Sequence, residues 1–218
     1  ANIVEYVADG SEYEVNSNDW INKDFVITAK EGYKLSLTDK ANGEWSDTLS
    51  ASEETDDGKL MFYVKNTATG AISAAVTENY RIDKTAPTGE VKLNERTAFQ
   101  KLINTITFGL FFKDDVHVQL TAQDEASGVK SVLYYKSDKT LTDDEVRANT
   151  DWTDSGDFDI AAKDREKFII YVRIEDNAGN VGYIGSDGVT FDTTAPGIIG
   201  VENGKTYCQS VEITITDV

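Results

Sequence analysis

Polar and apolar positions alternate along most of this chain, the pattern of strands with one face buried and the other in water. The alternating runs at 26–29, 60–65, 103–112, 116–121, 130–135, 168–174, 189–191 and 211–216 are rich in Val, Ile, Thr, Tyr and Phe, which pack well on a pleated surface. In 168–174 the period places Phe168, Ile170, Val172 and Ile174 on one face and Ile169, Tyr171 and Arg173 on the other. In 103–112 it groups Ile106, Phe108, Leu110 and Phe112, and these read as core together with Phe99 and Phe111. Turn formers punctuate the runs: Asp57-Gly58, Ala126-Ser127-Gly128, Asn177-Ala178-Gly179-Asn180, Asp187-Gly188 and Asn203-Gly204. Many short strands punctuated in this way predict an all-β chain of antiparallel β-sandwiches. One stretch departs from period two. Thr142-Asp143-Asp144-Glu145 is a capping box with carboxylates in the first turn, so 142–148 predicts a single short helix.

The pattern also repeats. The two prolines of the chain close the same pentapeptide, Asp83-Lys84-Thr85-Ala86-Pro87 and Asp192-Thr193-Thr194-Ala195-Pro196, 109 residues apart. Counted back from each proline, Ile72 answers Val181, 62–66 answers 170–174, and Trp45-Ser46-Asp47 answers Trp152-Thr153-Asp154. Ile27-Thr28-Ala29 answers Leu120-Thr121-Ala122. A unit of this length is a domain, so the expected organisation is a module at 1–86, a second at 87–196, and the opening strands of a third at 197–218. The predicted helix falls between Lys139 and Trp152, where the second copy is longer than the first, and is therefore an insert near 142–148. Proline fixes its own φ and holds the preceding residue extended, so Asp83, Pro87, Asp192 and Pro196 mark junctions between modules. The alternative is a proline that merely ends an edge strand, where its missing N–H costs nothing. A chain that starts without Met and stops partway into a copy reads as part of a longer multidomain protein.

Composition narrows the function classes. Hydrophobic residues make up 39% of the chain, enough for each module to bury its own core. The net charge is −18, divided at the two prolines as −8, −8 and −2. That field repels phosphate backbones and anionic lipid, so nucleic acid is not an expected partner, and no apolar run is long enough for membrane insertion. The lone Cys208 precludes an intrachain disulfide. His117 is the only histidine and stands in an alternating run with no accompanying nucleophile motif, so the expectation is a chain that is not an enzyme.

Three segments together resemble a known family. Residues 124–132 (Asp-Glu-Ala-Ser-Gly-Val-Lys-Ser-Val), 171–181 (Tyr-Val-Arg-Ile-Glu-Asp-Asn-Ala-Gly-Asn-Val) and 192–196 (Asp-Thr-Thr-Ala-Pro) are similar to the bacterial immunoglobulin-like repeats of Gram-positive cell-surface proteins. The first module keeps the Asp-x-Thr-Ala-Pro and the Trp but has Asn66-Thr67-Ala68-Thr69-Gly70 in place of Asp-Asn-Ala-Gly-Asn. The resemblance implies tandem immunoglobulin-like sandwiches at the bacterial cell surface, anchored to the wall or secreted. It implies a non-catalytic stalk or adhesin that meets a host glycoprotein, a mucin glycan or an immunoglobulin. The alternative it leaves open is the accessory or carbohydrate-binding region of a large secreted glycosidase or protease.

Two kinds of candidate site remain. Hard cations take oxygen ligands, and Asp124 and Glu125, Glu175, Asp176 and Asn177, and the junction residues Asp83 and Asp192 supply them; Asp124, Asp176 and Asp192 are the expected calcium ligands. The competing reading is that Asp, Asn and Gly are ordinary turn formers. Aromatic rings stack on sugars and anchor interfaces, which makes Trp20 and Trp152 the binding candidates. The equivalence of Trp45 and Trp152 favours a structural role for that pair, whereas Trp20 has no counterpart in the second module and is expected to be exposed.

Overall fold

A computed structural model describes residues 4–8, 11–12, 19–94, 96–97, 108–154 and 156–216. Its first set of strands is β1 (Val4–Ala8), β2 (Ser11–Glu12), β3 (Trp20–Ile21), β4 (Phe25–Ala29), β5 (Tyr33–Ser36), β6 (Thr48–Ala51), β7 (Thr55–Asn66) and β8 (Val76–Ile82). The second set begins with β9 (Thr88–Leu93), β10 (Arg96–Thr97), β11 (Leu110–Phe112), β12 (Val116–Gln123) and β13 (Val129–Ser137). Helix α1 (Asp143–Ala148) follows, then β14 (Thr153–Asp154), β15 (Phe158–Ile160), β16 (Lys167–Asp176), β17 (Val181–Gly185) and β18 (Val189–Phe191). A pair, β19 (Gly197–Ile199) with β20 (Thr214–Thr216), completes the described elements. The described residues are nearly all β, with one short helix.

Both sets follow one plan. The first forms sheets in the orders β2-β1-β4-β6 and β3-β8-β7-β5; the second forms β10-β9-β12-β15 and β11-β18-β16-β13-β14, with β17 beside β16. In each set the strand that opens the second sheet runs parallel to the last strand, β3 with β8 and β11 with β18. By contact the chain groups into one unit of residues 1–88, 122–132 and 174–182, and another of 89–121, 133–173 and 183–218.

In the first set the alternation does what the sequence predicts. Phe25 and Ile27 of one sheet share a buried core with Ile21, Leu35, Phe62, Val64 and Ile82 of the other, while Met61, between the inward positions of β7, is exposed. Asp57-Gly58 is not a turn but lies inside β7, at a shift of register against β8. Glycine is required there because a Cβ would run into the Tyr80 ring, which stacks on Phe25 at 5.0 Å. Strand β8 has no strong sequence signal, since Thr77, Glu78 and Asn79 interrupt its apolar row.

In the second set β16 departs from the expectation of one wet face. Phe168, Ile170, Val172 and Ile174 are buried as predicted, but so are Ile169 and Tyr171 on the other side. The insert covers them: Leu141 and Val146 pack on Ile169 and Tyr171, with Phe108, Tyr135, Trp152 and Tyr183 around the cluster. The helix is capped as read, with Glu145 N–H donating to Thr142 Oγ1 and the Glu145 carboxylate accepting from Thr142 N–H. It lies over the sheet as a lid, and burying each large side chain beneath it contributes about 1.5–3 kcal/mol.

Two other expectations change. Of the described residues 108–112, Leu110–Phe112 are strand; Phe111 is 65% exposed, and Phe108 belongs to the cluster under the helix. Phe99 and Ile106 lie outside the described residues. The run 211–216 contracts to Thr214–Thr216.

The buried Leu141 N–H donates to the Tyr171 hydroxyl at 2.8 Å, tying the insert to β16, and burial pushes the Tyr171 phenol above its ordinary value. Tyr171→Phe leaves that N–H without an acceptor and should cost about 1–3 kcal/mol in urea unfolding. The loss should be absent in a variant whose insert is replaced by the short connection of the first module.

Candidate functional site

The repeated pentapeptide begins where the last strand of each sandwich ends, and both copies leave the sheet by the same contacts. Asp83 N–H donates to Ile21 O at 3.0 Å, and Asp192 N–H to Phe112 O at 2.9 Å. The next N–H is taken by a carboxylate from the loop before the long central strand, Lys84 N–H by Glu54 at 2.6 Å and Thr193 N–H by Asp164 at 2.9 Å. A threonine hydroxyl adds a second bond to each, Thr85 to Glu54 at 3.0 Å and Thr193 to Asp164 at 3.1 Å. Glu54 and Asp164 have no sequence signal, because the acid differs in type and in distance from the pentapeptide. The Thr193 N–H holds the Asp164 carboxyl below its ordinary value of 3.8.

Beyond this shared exit the two motif aspartates differ. Asp83 is fully buried, and its ligand oxygens lie within 4.8 Å of those of Asp124 and Asp176. Asp176 is also fully buried, and Asp124 is half-buried. All three residues belong to the first contact unit. Each carboxylate is held by N–H donors: Asp83 by Thr85 N at 3.0 Å and Ser127 N at 3.1 Å, Asp124 by Gly128 N at 2.6 Å. Asp176 accepts from Asn180 N and Nδ2, both at 2.8 Å, and the same amide donates to Asp83 O at 2.8 Å. Gly128, at φ +81, turns the loop so that its N–H reaches Asp124. Asn177 Nδ2 donates to the carbonyls of Ser127 and Gly128, bracing one loop against the other.

Such a cluster carries an electrostatic load. Like charges about 4.8 Å apart repel by about 3 kcal/mol per pair at an effective dielectric near 20. Among the described residues no lysine, arginine or histidine forms an ion pair with any of the three. Ser127 Oγ, on the residue whose N–H touches Asp83, is buried without a hydrogen-bond partner. A cleft of about 380 Å³ lined by Thr85, Ala86, Thr88, Gln123, Asp124, Glu125 and Ala126 opens beside Asp124.

The structure brings Asp124 and Asp176 together with Asp83 and not with Asp192. Asp192 is exposed. The residues that join Asp83 lie 41 and 93 positions downstream of it. Glu175 instead pairs with Lys130 at 2.6 Å. Pro87 is buried, and a Cβ on Gly182 would run into its carbonyl oxygen; Pro196 is exposed. Trp20 is half-buried rather than exposed, with Arg81 5.7 Å above its ring. Trp152 is half-buried against Tyr135 and Tyr183, its indole N–H donating to Asn149 O at 2.8 Å. Trp45 makes the matching bond to Lys40 O at 3.3 Å.

No family profile matches the chain, and no curated protein does. Among solved structures it is similar to the FN1–FN3 domains of chicken CNTN1, at 12% identity and a TM-score of 0.32, over 78% of this chain and 64% of that one. It is also similar to the fibronectin(III)-like modules of Clostridium thermocellum CbhA, at 10% identity and a TM-score of 0.33, over 80% of this chain and 87% of that one.

The Asp164 lock predicts a pH dependence. A carboxyl lowered on folding adds stability that is complete above its ordinary value of 3.8 and is lost as pH falls through the lowered value. Asp164→Asn should be less stable than the parent chain at pH 7, and the gap in urea midpoint should narrow as pH falls below about 4. A gap unchanged across that range would contradict the assignment.

Proposed function

We propose that this chain is a non-catalytic tandem of immunoglobulin-like modules from a bacterial surface or secreted protein, spacing and presenting a face toward a host glycoprotein, most favourably an acidic mucin glycan. The observation that carries this reading is the shared order of the eight corresponding strands in the two sandwiches, closed by the same exit contacts. Repeating a whole architecture adds length and surface without adding chemistry, which is what a stalk requires. His117 is consistent with this role, since it is exposed and engaged across the strand pair by Asp159 at 2.7 Å.

The reading places the contact face on the second module. There Tyr135 and the cations Lys136, Lys163, Arg165 and Lys167 line an open cleft of about 750 Å³ together with Asp138, Asp164 and Glu166. Lys136 is paired with Glu166, and Lys167 lies 5.6 Å from the Phe108 ring. In a chain of net charge −18, this cleft sets four cations against three acids. Lys163 and Lys167 are the cations a sialylated or sulfated sugar would meet there, since Lys136 and Arg165 are paired with Glu166 and Asp164. Trp20 and Trp152, each with a neighbour against its ring, serve the fold in this reading.

Mucin-coated beads should retain the purified chain at low salt and release it as sodium chloride rises. The double variant Lys163→Ala/Lys167→Ala should lose about tenfold in retention. Retention indifferent to both salt and the substitutions would remove the acidic-glycan reading, and release of sugar or peptide by the chain itself would overturn the non-catalytic one.

A further inference from the structure

We infer that Asp83, Asp124 and Asp176, joined by Ser127 Oγ, form a calcium site that fastens the segment leaving β8 to the loops after β12 and β16. This site is independent of the partner proposed above: a chain that binds no mucin can still hold the ion, and the reverse. Three observations converge on it. The ligand oxygens of three carboxylates lie within 4.8 Å of one another, a span that one ion with bonds of about 2.4 Å bridges across its diameter. Two of those carboxylates have no exposed surface and none of the three has a cationic partner among the described residues, so the site lacks the counter-charge that burial of like charges calls for. Ser127 is only 9% exposed, and its hydroxyl is buried with no partner of its own, on the residue whose N–H already touches Asp83.

The donor set chooses the ion. Carboxylate and hydroxyl oxygens with no nitrogen or sulfur favour a hard cation over zinc or copper. Ligands drawn from loops separated by 41 and 52 positions meet calcium's tolerance of irregular coordination better than magnesium's demand for a near-ideal octahedron. The outer contacts are in place as well. Thr85 N, Ser127 N, Gly128 N and the Asn180 amide hold the carboxylates from behind, as supporting groups orient metal ligands elsewhere. The cleft beside Asp124 gives the ion a path from solvent. The sequence supplies Asp83 from the end of one copy of the repeat and the other residues from the next, so occupancy would depend on two successive copies being folded.

Calorimetric titration of the whole chain with calcium chloride should show one saturable ion per chain, and the thermal midpoint should be about 4 °C higher in 2 mM calcium than in EDTA. Magnesium at the same concentration should give a smaller shift. Asp124→Asn, at the half-buried and least disruptive position, should weaken calcium at least tenfold while circular dichroism stays that of the parent. Asp192→Asn should bind like the parent. The inference is overturned if millimolar calcium leaves the parent midpoint unchanged, if magnesium matches calcium, if a folded Asp124→Asn keeps the parent affinity, or if Asp192→Asn loses it.

Discussion

Asp83 stands where the last strand of the first sandwich runs out, fully buried, and a carboxylate in that position must be given donors or counter-charge. Much of the surrounding order answers this requirement. The loop at 124–128 turns at Gly128, delivers Ser127 N–H to Asp83 and is braced by Asn177; the loop at 176–180 returns Asn180, whose amide bonds both Asp176 and the Asp83 carbonyl. Residues that read separately as ordinary turn formers are thus one hydrogen-bonded assembly. Because buried polar networks are costly when partly satisfied, its members are expected to tolerate substitution poorly and to depend on one another.

The two sandwiches share a plan but solve different packing problems. In the first, β7 keeps one face in solvent, and Met61 can be exposed without consequence. In the second, β16 carries apolar residues on both faces, and the insert with α1 supplies the second cover through Leu141, Val146 and Trp152. The added segment therefore turns the outer face of that sheet into a three-layered region. Tyr171 joins the two halves of that arrangement, since its ring packs under the helix while its hydroxyl accepts from the backbone that leads into it.

The strands, the repeat and the capped helix were legible because each is written in local order: alternation of two, a pentapeptide at fixed spacing, Thr142 three residues before Glu145. What the sequence hid was pairing at a distance. Nothing near Asp83 announces Asp124 or Asp176, and Asp192 shares the Asp-x-Thr-Ala-Pro pattern without the same neighbours in space. Glu54 and Asp164 do one job from different spacings with different side chains, so no motif relates them. Ile169 and Tyr171 looked solvent-facing because alternation records one buried face and says nothing about a cover contributed from elsewhere in the chain. Asp57-Gly58 has the composition of a turn, yet its glycine serves the Tyr80 ring inside a strand.

The parallel pairing of β11 with β18, and of β3 with β8, has a mechanical consequence. Tension along the polypeptide reaches the earlier strand from its N-terminal end and the later one from its C-terminal end. In parallel strands those two pulls act in opposite directions along the same axis, so the hydrogen bonds between them are sheared together instead of being opened one after another. Glu54 and Asp164 bond the chain just past each final strand. Once the strands that precede them have been released, β3 and β11 would pass such a shearing load to the strand by which the chain leaves the sandwich.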